Sequence, residues 1–499
     1  MPQKKFDLSI TQLQKIKETM LLVFFTVFFL SINAIRIFND SISGDEGFSI
    51  MLVKDSVAGM IQATAADVHP PLYYLIFKAF AMMIGTSAAA GRIVTFTAII
   101  LTMILANTYI RKRFGVYAAA FFIILLTFNV TGIEMIVEAR MYTWAMLFVT
   151  LTALSGYELM REQNLWKWLG LLVFGLAAGY THYYALIMVA IIYLVTFAVL
   201  IIRDRKNLLF CFLCGIGAVI GYFPWLLILL KQFGTVSDNY WIHSIELKEW
   251  IRYIFGHDRF GKLLRIILAV AGFLYLISRD GLTITHNISL KKTGADKAFM
   301  RFDWDKVPEE EKNERLLVLI CGATVVGTLA VATIVSYLVR PLYVERYLYS
   351  AYGLIALAFG ISFANVSRKK LYSWLLIVAI LITGANSFRG IYLTEQAYMT
   401  EDSKAFFKEH LEPGDVFVTD NSQLSWTVLA YYFPDIKNYA LGEFDFFTQE
   451  YHTVWYLSEK PELDERITAY EAQGLQVTHV CDSGIGRYPY YLYKIVKND

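Results

Sequence analysis

Charge is scarce in this chain: of 499 residues only 18% are Asp, Glu, Lys or Arg, against 57% hydrophobic, and the mean hydropathy is +0.47. That balance excludes an ordinary water-soluble domain, in which about a quarter of residues are charged. The net charge is only +2, with basic residues in short clusters between apolar blocks, so no nucleic-acid partner is indicated. Cysteine is equally sparse, at four residues. Cys211 and Cys214 form a CxxC inside the apolar run "LLFCFLCGIGAV" with no second ligand pair, Cys321 lies in another apolar run, and Cys481 stands alone. No disulfide framework or zinc motif follows from these positions. The first apolar run lacks a small-residue cleavage site and reads as a retained helix.

What is present is bilayer-length apolar sequence. Eleven spans are expected, at 20–38, 88–110, 115–133, 141–160, 166–181, 183–202, 208–230, 262–278, 316–338, 347–366 and 371–389. The fold class expected is therefore a polytopic α-helical membrane protein of about eleven helices. Aromatic residues, 16% of the chain, suit interfacial belts and a wide aqueous cavity.

The short apolar segment 71–85 is decided by the positive-inside bias. If it does not cross, the N-terminal lysines, "RKR" at 111–113, "RDRK" at 203–206, the loop 279–315 and "RKK" at 368–370 share one side, read as cytoplasmic. If it crosses, the bias collapses. Segment 71–85 is then a juxtamembrane or re-entrant helix, with Pro70 and Pro71 at its tolerant N-terminal end. The organisation expected is a cytoplasmic N-terminus 1–19, a membrane module 20–389 with an outer loop 39–87, and an extracytoplasmic domain 390–499. That last part alternates amphipathic helices (402–410, 423–432, 462–473) with short strands such as "DVFVTD" and "TVWYLS", which suggests a small α/β domain. No GxGxxG or P-loop opens any of its helices, so it reads as a structural or acceptor-contacting cap.

On this topology the polar residues that look out of place share the outward face. Asp45 and Glu46 follow the first span in "SISGDEGFSI", and Asp67 and His69 precede the Pro pair in "ADVHPPLYY". "GIEMIVEARMY" contributes Glu134, Glu138, Arg140 and Tyr142; "GYTHYYA" contributes His182, Tyr183 and Tyr184; "RPLYVERY" contributes Arg340, Tyr343, Glu345, Arg346 and Tyr347. Ionisable groups at membrane depth are costly and mark pathways or active sites, although any single one can merely wet a helix end. A carboxylate can act as general base on an acceptor hydroxyl while Arg and Tyr hold a phosphate leaving group. On the outer face no nucleotide sugar is available, so the donor should be lipid-carried.

In their order "DE", "HPPLYY", "EARMY", "HYY" and "ERY", residues 20 to 366 resemble the GT-C glycosyltransferases, specifically the protein O-mannosyltransferase and aminoarabinose-transferase branch and its bacterial relatives. The resemblance implies an integral membrane glycosyltransferase moving a sugar from a polyprenyl-phosphate donor to a hydroxyl or similar acceptor, generally with inversion and without a nucleotide cofactor. It places the catalytic Asp at Asp45, with Glu46 orienting the loop or contacting the acceptor. His69 then sits beside the donor pocket, and Arg140 and Arg346 contact the polyprenyl phosphate with help from Tyr343 or Tyr347. Tyr142, His182 and Tyr183 complete the substrate-binding set. Some such relatives bind a metal ion; Glu138, Asp67, His69 and His182 would be the ligands here, but no close-spaced motif supports it and none is expected to be required. The tail does not resemble the sugar-binding insert of the eukaryotic O-mannosyltransferases, which weighs against a protein acceptor and leaves glycolipids and wall polymers.

Two other readings compete. A transporter or flippase of a lipid-linked sugar predicts internal repeats with helices broken at mid-membrane, and the chain shows no such self-similarity. A polymerase or phosphoglycosyl transferase would carry a large late outer loop, whereas 231–261, with His243 and His257 beside Trp241 and Trp250, is modest and reads as an interfacial loop. The charged loop 279–315, with His286, reads as a solvated cytoplasmic linker.

Overall fold

A computed structural model of the chain describes residues 10–127, 130–235, 307–338, 341, 343–366, 370–461 and 465–497, with scattered helical positions and two short strands between 263 and 302. The readings made for His243, His257, Trp241, Trp250, His286 and Arg340 lie outside the described residues. Ten of the eleven expected spans coincide with helices, and the remaining one, 262–278, is described only at isolated positions. Among the described residues six helices are long and apolar enough to cross a membrane by themselves: Ile16–Phe38, Ala88–Phe114, Tyr183–Arg203, Asn207–Gln232, Glu309–Leu338 and Glu345–Asn365.

The others are shorter or less apolar for a physical reason. Helix Tyr142–Arg161 packs against Ala88–Leu105, Leu165–Thr181, Tyr183–Arg203 and Glu309–Leu338, so protein rather than lipid surrounds it. It can carry buried threonines there, because Thr150 and Thr152 return their hydroxyls to the carbonyls of Met146 and Phe148, each at 2.7 Å. The expected span 115–133 is described as helix over Val116–Thr127 and Val130–Met135. Helix Tyr352–Val366 lies close against the first of these: a Cβ on Gly360 would stand 2.8 Å from the Ala118 carbonyl oxygen, which requires glycine at that crossing.

The loop 39–87, expected on the outer side, folds into three short helices, Gly44–Lys54, Val57–Ala66 and Leu72–Ile84. The last has 13 residues; at 1.5 Å per residue it is about 20 Å long, too short to cross. Pro71 stands at its N-cap, where the missing N–H costs nothing.

Helix Lys370–Gln396 runs through residue 390 without a break, and the small domain follows it, beginning with helix Thr400–His410. Its five-stranded sheet has the order Lys437–Ala440, Val416–Thr419, Val454–Ser458, Tyr488–Lys497, Leu475–Ile485; the first two pairings are parallel and the last two antiparallel. The edge strand Lys437–Ala440 carries no apolar alternation and escapes a sequence reading. Alternate residues of the central strands face two cores. Val416, Val418, Val454 and Tyr456 belong to the domain's own core, whereas Phe417, Trp455 and Leu457 join the core that continues into the membrane module. The domain is thus packed onto the helices by one face of its sheet.

Candidate active site

A cavity of about 1030 Å³ opens where the outer loop, the helix ends and the small domain meet. Asp45, Asp67, His69, Glu134, Glu138, Arg140, Tyr142, Arg346 and Tyr347 line it, so nine residues singled out by sequence are brought together.

Asp45 is held by helix-start chemistry. Ser43 caps helix Gly44–Lys54: its Oγ accepts from the Glu46 N–H at 3.1 Å, and Glu46 Oε2 accepts from the Ser43 N–H at 3.1 Å, a reciprocal capping box. Asp45 sits in the first turn, where the helix dipole favours a negative charge. Its two carboxylate oxygens face two guanidiniums, Arg346 at 3.1 Å and Arg140 at 4.0 Å. Arg140 is buried and is fixed further by its Nη1 donating to Ser49 Oγ and Tyr74 Oη, both at 3.3 Å. The Arg346 side chain is 37% exposed, so a ligand entering the cavity can reach it.

Glu46 faces the other way. It is fully buried and lines no part of the cavity; Arg92 grips it in a fork at 2.7 and 2.9 Å, and Arg487 and the Ala139 N–H add donors at 3.2 and 3.1 Å. Burial pushes its carboxyl up, but Arg92 and Arg487 outweigh that and hold it down at about 2. With its lone pairs occupied, Glu46 does what a loop-orienting residue does; it has no path to substrate.

His69, His182, Tyr142, Tyr184 and Tyr347 form an aromatic group at one end of the cavity. The rings of His69 and His182 are 5.5 Å apart, and Tyr347 meets them at 5.7 and 4.9 Å. His182 stands behind the cavity wall: its Nδ1 accepts from the Tyr184 N–H at 3.1 Å as the N-cap of the following helix, while its buried Nε2 has no partner among the described residues. Burial and the nearby Arg140 and Arg346 push both histidines down, His182 to about 3, so both are neutral at ordinary pH. Burial raises Asp67 and Glu138 instead.

Two of the expected substrate contacts point elsewhere. Tyr183 donates to Gln232 Oε1 at 2.5 Å, and Gln232 in turn donates to the carbonyls of Ala65 and Asp67, so Tyr183 braces the outer loop from behind. Tyr343 packs against the main core and does not line the cavity. The metal-ligand set does not assemble either. Glu138 is engaged by Ser43 at 2.6 Å and Arg487 at 2.7 Å, the histidines lie beside two arginines, and no group of three His, Cys, Asp or Glu among the described residues is set to hold an ion.

Sequence reasoning missed Arg36, Arg92 and Arg487. Arg36 lines the cavity and forms a fork with Glu395 at 2.6 and 2.9 Å. A signal existed for the first two, each an arginine inside an apolar run. Nothing local marks Arg487, which the fold of the small domain delivers. Gln423, Trp426, Thr427 and Tyr488 of that domain also reach the cavity.

Residues 68–228 match the family of dolichyl-phosphate-mannose-protein mannosyltransferases. The fold is similar to ArnT from Cupriavidus metallidurans in its apo state, with a TM-score of 0.58 at 11% identity over 94% of this chain and 97% of that one. It is equally similar to ArnT from the same organism bound to undecaprenyl phosphate, at 0.58 and 10% identity with the same coverage. No curated protein matches by sequence.

Proposed function

We propose that this chain is a multi-pass membrane glycosyltransferase of the GT-C kind that transfers a sugar from a polyprenyl phosphate to an acceptor hydroxyl, a reading supported by the mannosyltransferase-family segment and the ArnT-like fold. Asp45 removes the acceptor proton as its oxygen attacks the anomeric carbon from the face opposite the leaving group. The bond between the anomeric carbon and the phosphate oxygen breaks with inversion, and the polyprenyl phosphate departs as an anion met by Arg346 and Arg140. The balance closes with no redox or nucleotide partner. The observation that carries this reading is the Asp45 carboxylate standing between Arg346 at 3.1 Å and Arg140 at 4.0 Å on the cavity wall. Base and phosphate clamp are thereby within one substrate's reach.

Lipid-carried donors fit the membrane setting, and one structure of similar fold is described as bound to undecaprenyl phosphate. The acceptor class we propose is a glycolipid or wall polymer on the outer surface, with the N-terminus cytoplasmic and the sheet domain outside. In support, Arg113, Arg161 and Lys167 gather around Glu158, near the end of helix Tyr142–Arg161 opposite the cavity-lining Tyr142. The test is release of free polyprenyl phosphate by purified, reconstituted protein offered a panel of polyprenyl-phosphate sugars with a crude cell-envelope acceptor. Asp45→Asn should lower release at least about 100-fold, the lower bound for loss of a general base. Equal release from wild type and variant would refute the role of Asp45, and a folded wild type silent with every donor would refute the reaction.

A further inference from the structure

The loop that carries Asp45 is held from the C-terminal side of the chain. Thr400 Oγ1 lies 2.7 Å from Ser41 Oγ, Lys404 pairs with Asp40 at 2.6 Å, and the Tyr432 hydroxyl accepts from the Ile42 N–H at 3.1 Å and donates to the Asp40 carbonyl. The hairpin turn between strands Leu475–Ile485 and Tyr488–Lys497 goes deepest. The Arg487 N–H donates to the Ile42 carbonyl at 3.0 Å, and the Tyr488 hydroxyl accepts from the Gly44 N–H at 3.0 Å. Gly486 has φ +59, and a Cβ there would stand 2.4 Å from the Ile42 carbonyl oxygen, so the approach needs glycine on both counts.

The Arg487 side chain then enters a closed ring. One of its nitrogens reaches Glu138 Oε2 at 2.7 Å and the other Glu46 Oε2 at 3.2 Å. Glu138 Oε1 accepts from Ser43 Oγ at 2.6 Å, and Ser43 and Glu46 are the two halves of the capping box around Asp45. Two buried carboxylates, Glu46 and Glu138, are thus balanced by two guanidiniums, Arg92 and Arg487. Buried charges are tolerable only when paired in this way. Removal of Arg487 leaves Glu138 with Ser43 alone, and the adjustment falls on the cap that aims Asp45.

We propose that Arg487 is a positioning residue for the catalytic carboxylate: the small domain inserts it between Glu46 and Glu138 to hold the Asp45 turn against Arg140 and Arg346. This rests on the reading of Asp45 as the base. It makes the docked C-terminal domain part of the catalytic centre, and a molecule that loosens the docking would silence the enzyme without touching its substrates.

The test uses the full-length reconstituted protein and the variants Arg487→Gln, Arg487→Lys and Gly486→Val, the last displacing the turn without removing its charge. Hydrogen exchange of residues 41–47 is followed alongside kcat and donor KM for the panel donor that wild type turns over. A catalytic group displaced by about 1 Å loses on the order of 100-fold in rate. Arg487→Gln and Gly486→Val should therefore lower kcat by about that factor, with donor KM little changed, while exchange quickens at 41–47 but not across the helix bundle. Arg487→Lys should restore part of kcat. The inference is overturned if Arg487→Gln keeps wild-type kcat and wild-type protection at 41–47. It is also overturned if protection falls equally across the whole chain, since Arg487 would then only stabilise. Should wild type turn over no donor, the reaction assignment fails, and the exchange result decides by itself whether Arg487 holds the loop.

Discussion

Replacing Glu46 by glutamine tests whether the buried charge ring is as closed as its distances state. The substitution keeps the shape and removes the charge, leaving Arg92, which is 1% exposed, without its carboxylate fork. Breaking one partner out of a buried ion pair costs about 3–5 kcal/mol. Arg92 and Arg487 hold the Glu46 carboxyl well below its ordinary 4.5 despite its burial. The sign is that of a depressed carboxylate: the stabilisation is complete above 4.5 and is lost as pH falls toward 2. In detergent or nanodiscs, Glu46→Gln should melt at least about 5 °C below wild type at pH 7. The gap should persist at pH 5 and narrow only below about pH 4.5. Adding Arg92→Met should cost about 1–3 kcal/mol less than the two single changes summed, because the second removes a charge the first has already stranded. A Glu46→Gln melt within about 1 °C of wild type at pH 7 would refute the buried ring.

Other outcomes follow from the same geometry. Arg346→Ala should raise donor KM by about tenfold in the release assay, the value of one charge-assisted hydrogen bond at a partly open site, and Arg346→Lys should recover only part of it. Tyr183→Phe should leave donor KM and kcat within about twofold and cost about 1 kcal/mol of stability by thermal melt, since its hydroxyl serves Gln232 and not the cavity. His69 and His182 are held neutral by burial and two arginines, so the unfolded chain binds more protons than the folded one below pH 6.5. Stability should therefore fall by about 1.4 kcal/mol per histidine for each pH unit below 6.5, and His182→Gln should flatten that slope in melts run from pH 7 to 5.

Much of this was legible in the chain because hydropathy and charge are local properties. Bilayer-length apolar runs dictate helices wherever they occur, and basic clusters orient them, so ten of the expected spans could be read without a structure. The polar cluster was legible for the same reason: Asp45, His69, Arg140 and Arg346 are conspicuous as polar groups at the ends of apolar segments, and the cavity unites them. What sequence could not decide is which way each polar residue points. Asp45 and Glu46 are neighbours of the same chemistry, yet about 100° of helical turn separates the cavity from the protein interior. Only the positions of Arg140 and Arg346 on one side, and of Arg92 and Arg487 on the other, leave one carboxylate on the cavity wall and make its neighbour a buried strut. Tyr183 was misjudged in the same way, because its hydroxyl is claimed by Gln232, a residue 49 positions along the chain. The contribution of Arg487 is the extreme case: it stands 441 residues from Glu46, and no local pattern encodes a contact that exists only once a five-stranded sheet has folded and docked on the helices.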